Sequence, residues 1–410
     1  MSEAAHEVRE QPAGAAVAVR PQCRVAHCPD EQGHDEKADD TGGGEDQKLA
    51  AQAPAALGHF ILRQVGVGRC GFQCKSSSCA AGHNSAAMEK IRAAVIGVGY
   101  LGRFHAQKYA TAAACELVAL VDVRAAAREA AAREFSCRVL EDYRELLGHV
   151  DVVSVVTPTP THFAIARDFL SARAHVLVEK PVTETAAEAR QLIELARAHS
   201  KVLQVGHLER FNAAIRAAEP YLKAPRFIEC HRLAPYRERG TDVNVVLDLM
   251  IHDIDIVQTI VGVPVAAVDA IGTAVFSDEI DIANARIRFE NGCVANATAS
   301  RVSMKTERKL RVFEDEAYLS IDLQQKILTV IKKRPGPLEP GQLPVIIDER
   351  SFEQGDALKE EIDSFLECVR SGREPIVNGA AGLRALETAM RISEQMGLAS
   401  RGAQAPVRSA

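Results

Sequence analysis

Residues 91–102 read IRAAVIGVGYLG, a short apolar run that passes directly into the spacing G-x-G-x-x-G. The apolar run predicts a strand, and the stretch after the glycines predicts a helix. Asp122 ends the next apolar run and follows the last glycine by 20 positions. The spacing alone is a weak signal, but strand, helix and acidic residue together meet the conditions for a dinucleotide-binding turn. We therefore expect a βαβ unit that binds a dinucleotide.

The fingerprint places five residues around the phosphates of such a ligand. Gly97 permits the tight turn, and Gly99 lets the backbone approach the pyrophosphate. Gly102 lets the helix pack closely on the strands. The N–H groups at the start of the helix, those of Tyr100 and Leu101 among them, then face the anion. A glycine turn without a ligand is the alternative.

The end of the second strand predicts which dinucleotide is bound. Asp122 would accept hydrogen bonds from both hydroxyls of the adenosine ribose and repel a 2′-phosphate, which favours NAD. Arg124 stands two residues further on, where its guanidinium could receive that phosphate instead. NAD is therefore the expected cofactor and NADP the alternative.

The fingerprint belongs to a longer alternation of apolar runs and helical stretches. Runs rich in Val, Ile and Leu predict strands at 91–96, 116–121, 150–156, 175–178 and 202–205. Such runs alternating with helices indicate parallel strands buried on both faces, in an α/β doubly wound sheet. We expect residues 88–207 to form this Rossmann domain.

The pattern changes after residue 207. Helices are predicted near 211–222 and 245–261, and the many strands around them alternate apolar with polar residues, as in 285–289. A period of two predicts a mainly antiparallel sheet with one dry face and one open face. We expect an α+β domain at 208–400, closed by two helices, and a tail at 401–410.

The first 87 residues have a different composition. They contain 10 of the 27 glycines but only two aromatic residues, and no helical or strand period persists. Such a segment cannot bury enough apolar surface to offset its ordering entropy. Residues 1–87 are expected to be a disordered extension, or to precede a true start at Met88. Of their five cysteines, Cys70 and Cys74 have the spacing of one zinc-ligand pair, but Cys23 and Cys28 fit a second pair only loosely, so no metal is expected and a zinc knuckle is the alternative.

The overall composition excludes several classes of function. The chain has 410 residues and a net charge of −6, which argues against non-specific binding to nucleic acid or to an anionic membrane. No apolar run approaches the ~18 residues of a membrane-spanning helix, and the acidic N-terminus does not resemble a secretory signal. The cysteines beyond residue 87 are widely scattered, which indicates free thiols in a reducing cytoplasm.

Polar residues follow two later strands of the predicted parallel sheet, whose carboxyl ends deliver functional groups. One strand leads into a rigid loop with four candidate cofactor contacts, Thr157, Pro158, Thr159 and His162. The next strand leads into Glu179-Lys180-Pro181, in which Glu179 and Lys180 are further candidates. A lysine beside the cofactor can take the proton of an alcohol that is being oxidised. On spacing alone, a surface charge is the alternative.

A later helix supplies the other candidate catalytic groups. Residues 245–257 read VVLDLMIHDIDIV, which is apolar on nearly every side, so we expect the helix to be buried. Asp248, His252 and Asp255 fall at i, i+4 and i+7 and form one polar stripe. Buried ionisable groups are paired or functional. Asp248 and His252 could hold sugar hydroxyls and exchange a proton; a structural Asp–His pair is the alternative.

Taken in order, G-V-G-Y-L-G, E-K-P and D-x3-H-x2-D resemble the Gfo/Idh/MocA oxidoreductase family over roughly residues 89–400. The resemblance implies a second domain whose open sheet builds homodimers or homotetramers, and a reaction at a hydroxyl of a sugar, cyclitol or nucleotide-sugar. It makes Lys180 the catalytic lysine, His252 the acid/base or substrate-orienting histidine, and Asp248 its acidic companion. All three would then also contact the substrate.

Two further stretches, GHLERFN at 206–212 and LDLMIHDID at 247–255, resemble the branch that oxidises C3 of UDP-N-acetylglucosamine before an aminotransferase acts, on the way to lipid A or related glycoconjugates. The remaining candidate substrate contacts are Arg210, Asn212, Arg232 and Arg237. Guanidinium groups suit a diphosphate, although surface charges are the alternative. A free-sugar or inositol dehydrogenase is the other candidate enzyme, and a non-catalytic NAD(H)-sensing regulator is the candidate of another class.

Overall fold

The computed structural model describes residues 89–237, 243–352 and 355–397, and there the chain forms two sheets with helices packed on them. The predictions for 1–87 and for the tail at 401–410 lie outside the described residues. No helix within the described ranges is long and apolar enough to cross a membrane.

The first sheet has six parallel strands in the described part. They are β1 (Ile91–Ile96), β2 (Cys115–Val121), β3 (Arg138–Leu140), β4 (Val152–Val155), β5 (His175–Glu179) and β6 (Leu203–Gly206). Their spatial order is β3-β2-β1-β4-β5-β6, so the direction of winding reverses between β1 and β4. Ligands bind at the carboxyl ends of the strands beside such a reversal. The predicted doubly wound sheet is confirmed.

Helices cover both faces of this sheet, which explains why its strands are continuously apolar. They include α1 (Tyr100–Thr111), α2 (Ala125–Glu134), α3 (His162–Ser171) and α4 (Ala186–Ala198). The start of α4 is fixed by a capping box, in which Thr185 and Glu188 satisfy each other's backbone N–H groups. Val153 and Val155 on β4, and Val176 and Val178 on β5, are fully buried.

The second sheet has eight strands in the described ranges. They are β7 (Phe227–Leu233), β8 (Val265–Thr273), β9 (Ile282–Phe289), β10 (Val294–Ser300), β11 (Glu307–Phe313), β12 (Ala317–Asp322), β13 (Ile327–Lys333) and β14 (Val345–Ser351). Their spatial order is β14-β13-β12-β11-β7-β10-β9-β8. Neighbours are antiparallel except β7 and β10, which run parallel. The mainly antiparallel sheet is therefore confirmed.

One face of the second sheet is dry, as the period of two predicts. On β9 the residues Ala283, Ala285 and Ile287 are buried, whereas Arg286 and Arg288 between and after them are exposed. The dry face packs against α5 (Ala213–Ala218), α6 (Ile251–Val261) and the last helix of the described chain, α8 (Gly379–Gln395). The helix predicted at 245–261 begins with one wide, π-helical turn (Val246–Met250) that continues directly into α6.

The two C-terminal helices also complete the first sheet. On α7 (Ala357–Ser371), Ile362 and Phe365 are buried in the same core as β1 and α1. Just before α8, the carbonyl of Val377 accepts a hydrogen bond of 3.0 Å from the N–H of Val205 on β6. The segment from 357 to 397 therefore contacts both sheets, and the predicted boundary between 88–207 and 208–400 stays a prediction.

Candidate functional site

The turn between β1 and α1 is built so that only glycine fits at its key positions. Gly97 has φ +89°, and a Cβ there would lie 2.5 Å from the carbonyl oxygen of Val156. A Cβ on Gly102 would lie 1.8 Å from the carbonyl oxygen of Gly97. Gly99 is the N-cap residue of α1 and has no side chain, so no side-chain hydrogen bond caps the first backbone N–H groups of the helix. Those N–H groups form an anion site of the kind that binds a pyrophosphate.

Asp122 follows β2 directly and is held in place by two neighbours. Its Oδ2 accepts a hydrogen bond of 3.0 Å from the N–H of Val98, and its Oδ1 accepts one of 2.9 Å from the N–H of Arg124. The guanidinium of Arg124 adds two hydrogen bonds of 3.1 Å. Burial acts to raise the pKa of Asp122, but the hydrogen bonds from Arg124 and Val98 outweigh it and lower the pKa. The carboxylate is therefore ionised, as an acceptor for ribose hydroxyls must be.

A cleft of about 1060 Å³ runs along the carboxyl ends of the parallel strands. The predicted residues in its lining are Gly99, Tyr100, Leu101, Asp122, Arg124, Thr157, Pro158, Glu179 and Lys180. Thr159 and His162 are absent from the lining. The two ring nitrogens of His162 lie 2.8 Å and 2.9 Å from the carbonyl oxygens of Thr157 and Pro181, so this side chain joins the loops after β4 and β5.

Several side chains in the cleft lining were not indicated by the sequence pattern, among them Glu141, Tyr143 and Arg144. They follow β3, which has only three residues and is half exposed, so it gives a weak apolar signal. The one available signal is positional, because every parallel strand of the sheet ends at the same edge.

Lys180 and Asp248 meet beside the cleft. Lys180 directly follows β5, and its Nζ donates a hydrogen bond of 2.6 Å to the carbonyl oxygen of Asp248. The same Nζ lies 3.3 Å from Oδ1 of Asp248. The peptide bond between Lys180 and Pro181 is cis. Both side chains keep some exposure, 18% for Lys180 and 33% for Asp248, so a ligand in the cleft can reach them.

His252 lies one helical turn after Asp248. Its Nδ1 is buried without a hydrogen-bond partner among the described residues. Burial, and then the positive charges of Lys180 and Arg232, hold the pKa of His252 well below its ordinary value. The imidazole is therefore neutral near pH 7, with one nitrogen able to accept a proton.

Glu179 supports Lys180 from the interior of the sheet. Its Oε1 lies 3.1 Å from Nε2 of His105, whose Nδ1 lies 3.2 Å from the hydroxyl of Ser154. A Cβ on Gly206 would come within 2.7 Å of the Glu179 carboxylate, so a glycine is required there. The carboxylate of Glu179 is thus engaged inside the protein, while its backbone leads Lys180 to the cleft.

The structure gives protein partners to three of the four remaining candidate substrate contacts. Arg232 is 3% exposed, and its guanidinium donates hydrogen bonds of 2.8–3.0 Å to Asp253 and Glu209. Asn212 caps α5 and donates 2.9 Å to the carbonyl oxygen of Leu323.

Arg210 lies 3.5 Å from Asp255 and faces a second cavity of about 900 Å³, which three more arginines also line. Arg237 is exposed and lies at the end of a described range. The structure therefore joins Lys180 to Asp248, with His252 one turn further along the helix. Lys180 lines the cleft, whereas Asp248, His252 and these four residues are absent from its lining.

No group of His, Cys, Asp or Glu side chains within the described ranges could hold a metal ion. Lys180, His252 and Asp248 supply an amine, an imidazole and a carboxylate near the edge of the cleft. Such a set can bind a hydroxyl, orient it and exchange its proton.

Comparisons with known proteins agree with this geometry. Residues 91–207 match the GFO_IDH_MocA family, described as an oxidoreductase family with an NAD-binding Rossmann fold. Residues 204–320 match the GFO/IDH/MocA C-terminal domain. UDP-N-acetylglucosamine 3-dehydrogenase of Acidithiobacillus ferrooxidans is 40% identical over 311 residues, which are 74% of this chain and 97% of that protein. The NAD⁺-dependent scyllo-inositol 2-dehydrogenase of Bacillus subtilis is 27% identical, over 70% of this chain and 89% of its own.

Two solved structures extend these comparisons. The structure of UDP-N-acetylglucosamine 3-dehydrogenase GnnA from Acidithiobacillus ferrooxidans superposes with a TM-score of 0.71 at 39% identity. It covers 77% of this chain and all of its own. Scyllo-inositol dehydrogenase from Lactobacillus casei, with bound NAD(H) and scyllo-inositol, gives a TM-score of 0.63 at 21% identity, over 75% of this chain and 97% of its own. At that identity the likeness concerns the fold alone.

Proposed function

The chain belongs to the Gfo/Idh/MocA family of NAD-binding oxidoreductases, and from this membership we propose that it oxidises C3 of UDP-N-acetylglucosamine to the 3-keto sugar. The observation that carries the proposal is the contact between Lys180 and Asp248 beside the cleft, with His252 one turn further on. The specific substrate is supported by the 40% identity to an enzyme of that name.

The residues of the cleft fit NAD. The N-terminus of α1, which no side-chain hydrogen bond caps, points its backbone N–H groups to where the pyrophosphate would lie, and the ionised Asp122 offers acceptors to the ribose hydroxyls. When bound, NAD would supply the acceptor for the hydride that leaves the carbon carrying the hydroxyl. Arg124 already engages both oxygens of Asp122, so the ribose has to displace at least part of this contact. We propose NAD as the preferred cofactor.

Three side chains divide the work on the substrate. Lys180 takes the proton of the reacting hydroxyl when its amine is uncharged, and an N–H bond forms as the O–H bond breaks. His252 is neutral and accepts or returns a hydrogen bond at that oxygen, which orients the reacting carbon. Asp248 holds Nζ of Lys180 and can accept a hydrogen bond from a neighbouring sugar hydroxyl.

A second candidate substrate class is a free sugar or an inositol. It is favoured by the engagement of Arg210 and Arg232 with carboxylates of the protein, because these guanidinium groups are then not free for a diphosphate. Of the four candidate contacts for the nucleotide, Arg237 is the exposed arginine. A regulator that only senses NAD(H) would not need Lys180 in contact with Asp248 and His252 one helical turn further on.

We propose that the enzyme acts in the cytoplasm, beside an aminotransferase that consumes the keto sugar, and as a homodimer or homotetramer. Cys115, Cys137, Cys230, Cys293 and Cys368 are free thiols, as a reducing compartment allows. The ketone of a 3-keto sugar is a substrate for transamination. Removal of the keto sugar shifts the equilibrium of an unfavourable oxidation toward product.

The experiment that tests the function is NADH formation with purified protein, NAD and UDP-N-acetylglucosamine, followed by near-ultraviolet absorbance. Free N-acetylglucosamine and myo-inositol are tested in parallel, each with a carbonyl trap because the oxidation is expected to be uphill. Turnover of the nucleotide-sugar alone supports the proposal. Turnover of a free sugar or inositol alone would keep the reaction class and overturn the nucleotide-sugar assignment.

A further inference from the structure

Four buried polar atoms close to the site have no hydrogen-bond partner in the described part of the chain. They are Nδ1 and Nε2 of His207, Nδ1 of His252 and Oδ2 of Asp255. Leaving one buried donor or acceptor unpaired costs about 1–3 kcal/mol. Native proteins therefore satisfy such groups with each other or with ordered water.

The three residues come together from two elements. His207 directly follows β6, whereas His252 and Asp255 lie on successive turns of one face of α6. The rings of His207 and His252 meet edge to face, with centroids 6.2 Å apart at an angle of 86°. That separation leaves no direct hydrogen bond between the rings but suits a single bridging water.

Charged side chains from several elements act on the rings of His207 and His252. His207 is acted on by Asp255 and Glu179, which raise its pKa, and by Lys180 and Arg210, which lower it. Burial is the largest effect and lowers the pKa of His207. For His252, burial and the cations Lys180, Arg232 and Arg308 lower the pKa, together with His207. Both imidazoles are therefore neutral near pH 7, each with one donor and one acceptor nitrogen.

A carboxylate can only accept, so Asp255 fixes the direction of the hydrogen bond that it makes. If His207 donates toward Asp255, its other nitrogen must accept. A water that donates to this nitrogen can then accept from His252, which requires the proton of His252 to be on Nδ1. Nε2 of His252 is left as the acceptor.

We propose that His207 is a positioning residue which, through ordered water, links Nδ1 of His252 to the carboxylate of Asp255 and so holds His252 in the tautomer whose Nε2 accepts from the substrate hydroxyl. The role at the substrate rests on the proposed dehydrogenase function, whereas the tautomer does not. No atom is oxidised or reduced in this step. One O–H···N hydrogen bond forms at Nε2, and the Nδ1–H bond stays intact.

The test is a nitrogen-15 NMR measurement of histidine tautomers in the full-length protein without substrate. Two-bond proton–nitrogen correlations distinguish Nδ1–H from Nε2–H for each ring. We expect His252 to carry its proton on Nδ1 in the wild type. In His207→Phe and in Asp255→Leu we expect it to move to Nε2, the tautomer that a free imidazole prefers. A proton on Nε2 in the wild type, or an unchanged tautomer in both variants, would overturn the proposal.

Two further variants separate positioning from stability. His207→Gln keeps one donor and one acceptor, so it is expected to restore the Nδ1–H tautomer that His207→Phe loses. His175→Asn, at the start of β5, is the control and leaves the His252 signals in place. With UDP-N-acetylglucosamine, His207→Phe should lower kcat about 10–100-fold with little change in KM for NAD. If the tautomers of His252 are as expected but no sugar is oxidised, the proposed dehydrogenase function is rejected. The proposed link between His207 and His252 then still holds.

Discussion

At the scale of single residues, the contact between Lys180 and Asp248 joins positions 68 residues apart in the chain. The two side chains are brought together because β5 ends at Glu179 and the π-helical turn at 246–250 passes over that strand end. Among the described residues Asp248 is the hydrogen-bond partner of the amine, whose remaining capacity can serve a ligand in the cleft. We therefore expect the loss of the Lys180 amine to lower the rate of the reaction most directly.

Lys180→Met keeps the length of the side chain and removes the amine. Proton transfer by a positioned group contributes about 10²–10⁴-fold, so we expect kcat to fall by that factor. NAD binding, followed by isothermal titration calorimetry, should change little, since α1 and Asp122 are expected to hold the cofactor. Lys333→Met, on the exposed end of β13, is the control. An active Lys180→Met enzyme would remove this lysine from the mechanism.

Asp122→Ala tests the choice of cofactor. The substitution removes two charge-assisted acceptors and should raise KM for NAD about 10–100-fold. It also frees the guanidinium of Arg124 to meet a 2′-phosphate, so KM for NADP should fall relative to KM for NAD. Steady-state kinetics with both cofactors measures the ratio, and Asp315→Ala, in an exposed ion pair with Arg226, is the control. An unchanged ratio would mean that Asp122 does not select the cofactor.

The sequence was informative about residues that follow a strand or share a helical stripe. Lys180, Asp248 and Asp122 could be placed because parallel strands end at one edge and helical positions i and i+4 share a face. The partners of Arg232 could not be placed in this way. Asp253 lies one position after His252, so it points about 100° away from it around the helix axis and toward β7. Which strand lies there depends on the fold of the second sheet.

At the scale of elements, a buried ion cluster fastens α6 to the second sheet. Arg232 on β7 donates to Asp253 on α6 and to Glu209 in the turn after β6. Burial opposes the charge of Arg232, but the two carboxylates outweigh it and raise the pKa of the guanidinium. The cluster sets the position of the helix that carries His252.

Arg232→Met should therefore destabilise the protein. Removing one member of a buried cluster leaves carboxylates without a counter-charge, which costs about 3–5 kcal/mol. Denaturant unfolding followed by circular dichroism measures the loss. Arg311→Met, whose half-exposed side chain pairs with Glu229 on the neighbouring strand, should cost less than about 1 kcal/mol. Equal losses in the two variants would show that the Arg232 cluster adds nothing beyond a surface pair.

His175, at the start of β5, gives the fold a dependence on pH. Its Nδ1 accepts a hydrogen bond of 2.9 Å from the N–H of Val202, and burial with the nearby Lys201 lowers its pKa to about 4. The unfolded chain takes up this proton from about pH 6.5 downward, whereas the folded chain does not until about pH 4. The contribution of neutral His175 to the free energy of unfolding is therefore fully present above about pH 6.5. It is lost progressively as the pH falls from about 6.5 to about 4.

His175→Asn keeps an acceptor for Val202 and removes the titration. Between pH 7 and pH 5, the variant should lose up to about 2 kcal/mol less stability than the wild type. Thermal unfolding at a series of pH values measures the difference. His149→Asn, at an exposed position, should follow the wild type. If the stability of His175→Asn changes with pH as steeply as that of the wild type, His175 does not contribute to the pH dependence.

Elements with a strong apolar period could be predicted, and weak or irregular ones could not. The strands of the first sheet follow from their continuous apolar runs, because helices bury both faces. The three-residue β3 and the π-helical turn before α6 have no periodicity long enough to indicate them. The parallel pairing of β7 with β10 is likewise a matter of topology, since alternation predicts which face is buried but not which neighbour a strand takes.

At the scale of the whole molecule, the open face of the second sheet carries a row of apolar side chains. Phe313 lies between Phe227 and Tyr318, with ring centroids at 5.7 Å and 4.9 Å. Across the strands, Tyr318 pairs with Ile331, which pairs with Ile347. The row is half-buried except at Ile347, which is exposed, and an apolar row on an open sheet face suits an interface such as that of the proposed homodimer or homotetramer.

Phe313→Glu introduces a charge into the middle of this row. We expect the assembly to dissociate, because burying an unpaired carboxylate in an interface costs several kcal/mol. Sedimentation velocity measures the change in mass. Ile376→Glu, at a 49% exposed position outside the sheet, is the control and should leave the mass unchanged. A wild-type protein that sediments as a monomer, or a Phe313→Glu protein of unchanged mass, would contradict the proposed interface.

The packing of α7 and α8 on the first sheet has a consequence for how the protein is made. The ribosome completes β6 at residue 206, but α7 begins at residue 357. At about 5–20 residues per second, roughly ten to thirty seconds of translation separate the two events. During that interval the nascent nucleotide-binding half exposes the apolar surface that Ile362 and Phe365 later cover. A premature stop codon after β14 would therefore remove the cover of the half of the protein that had been synthesised first.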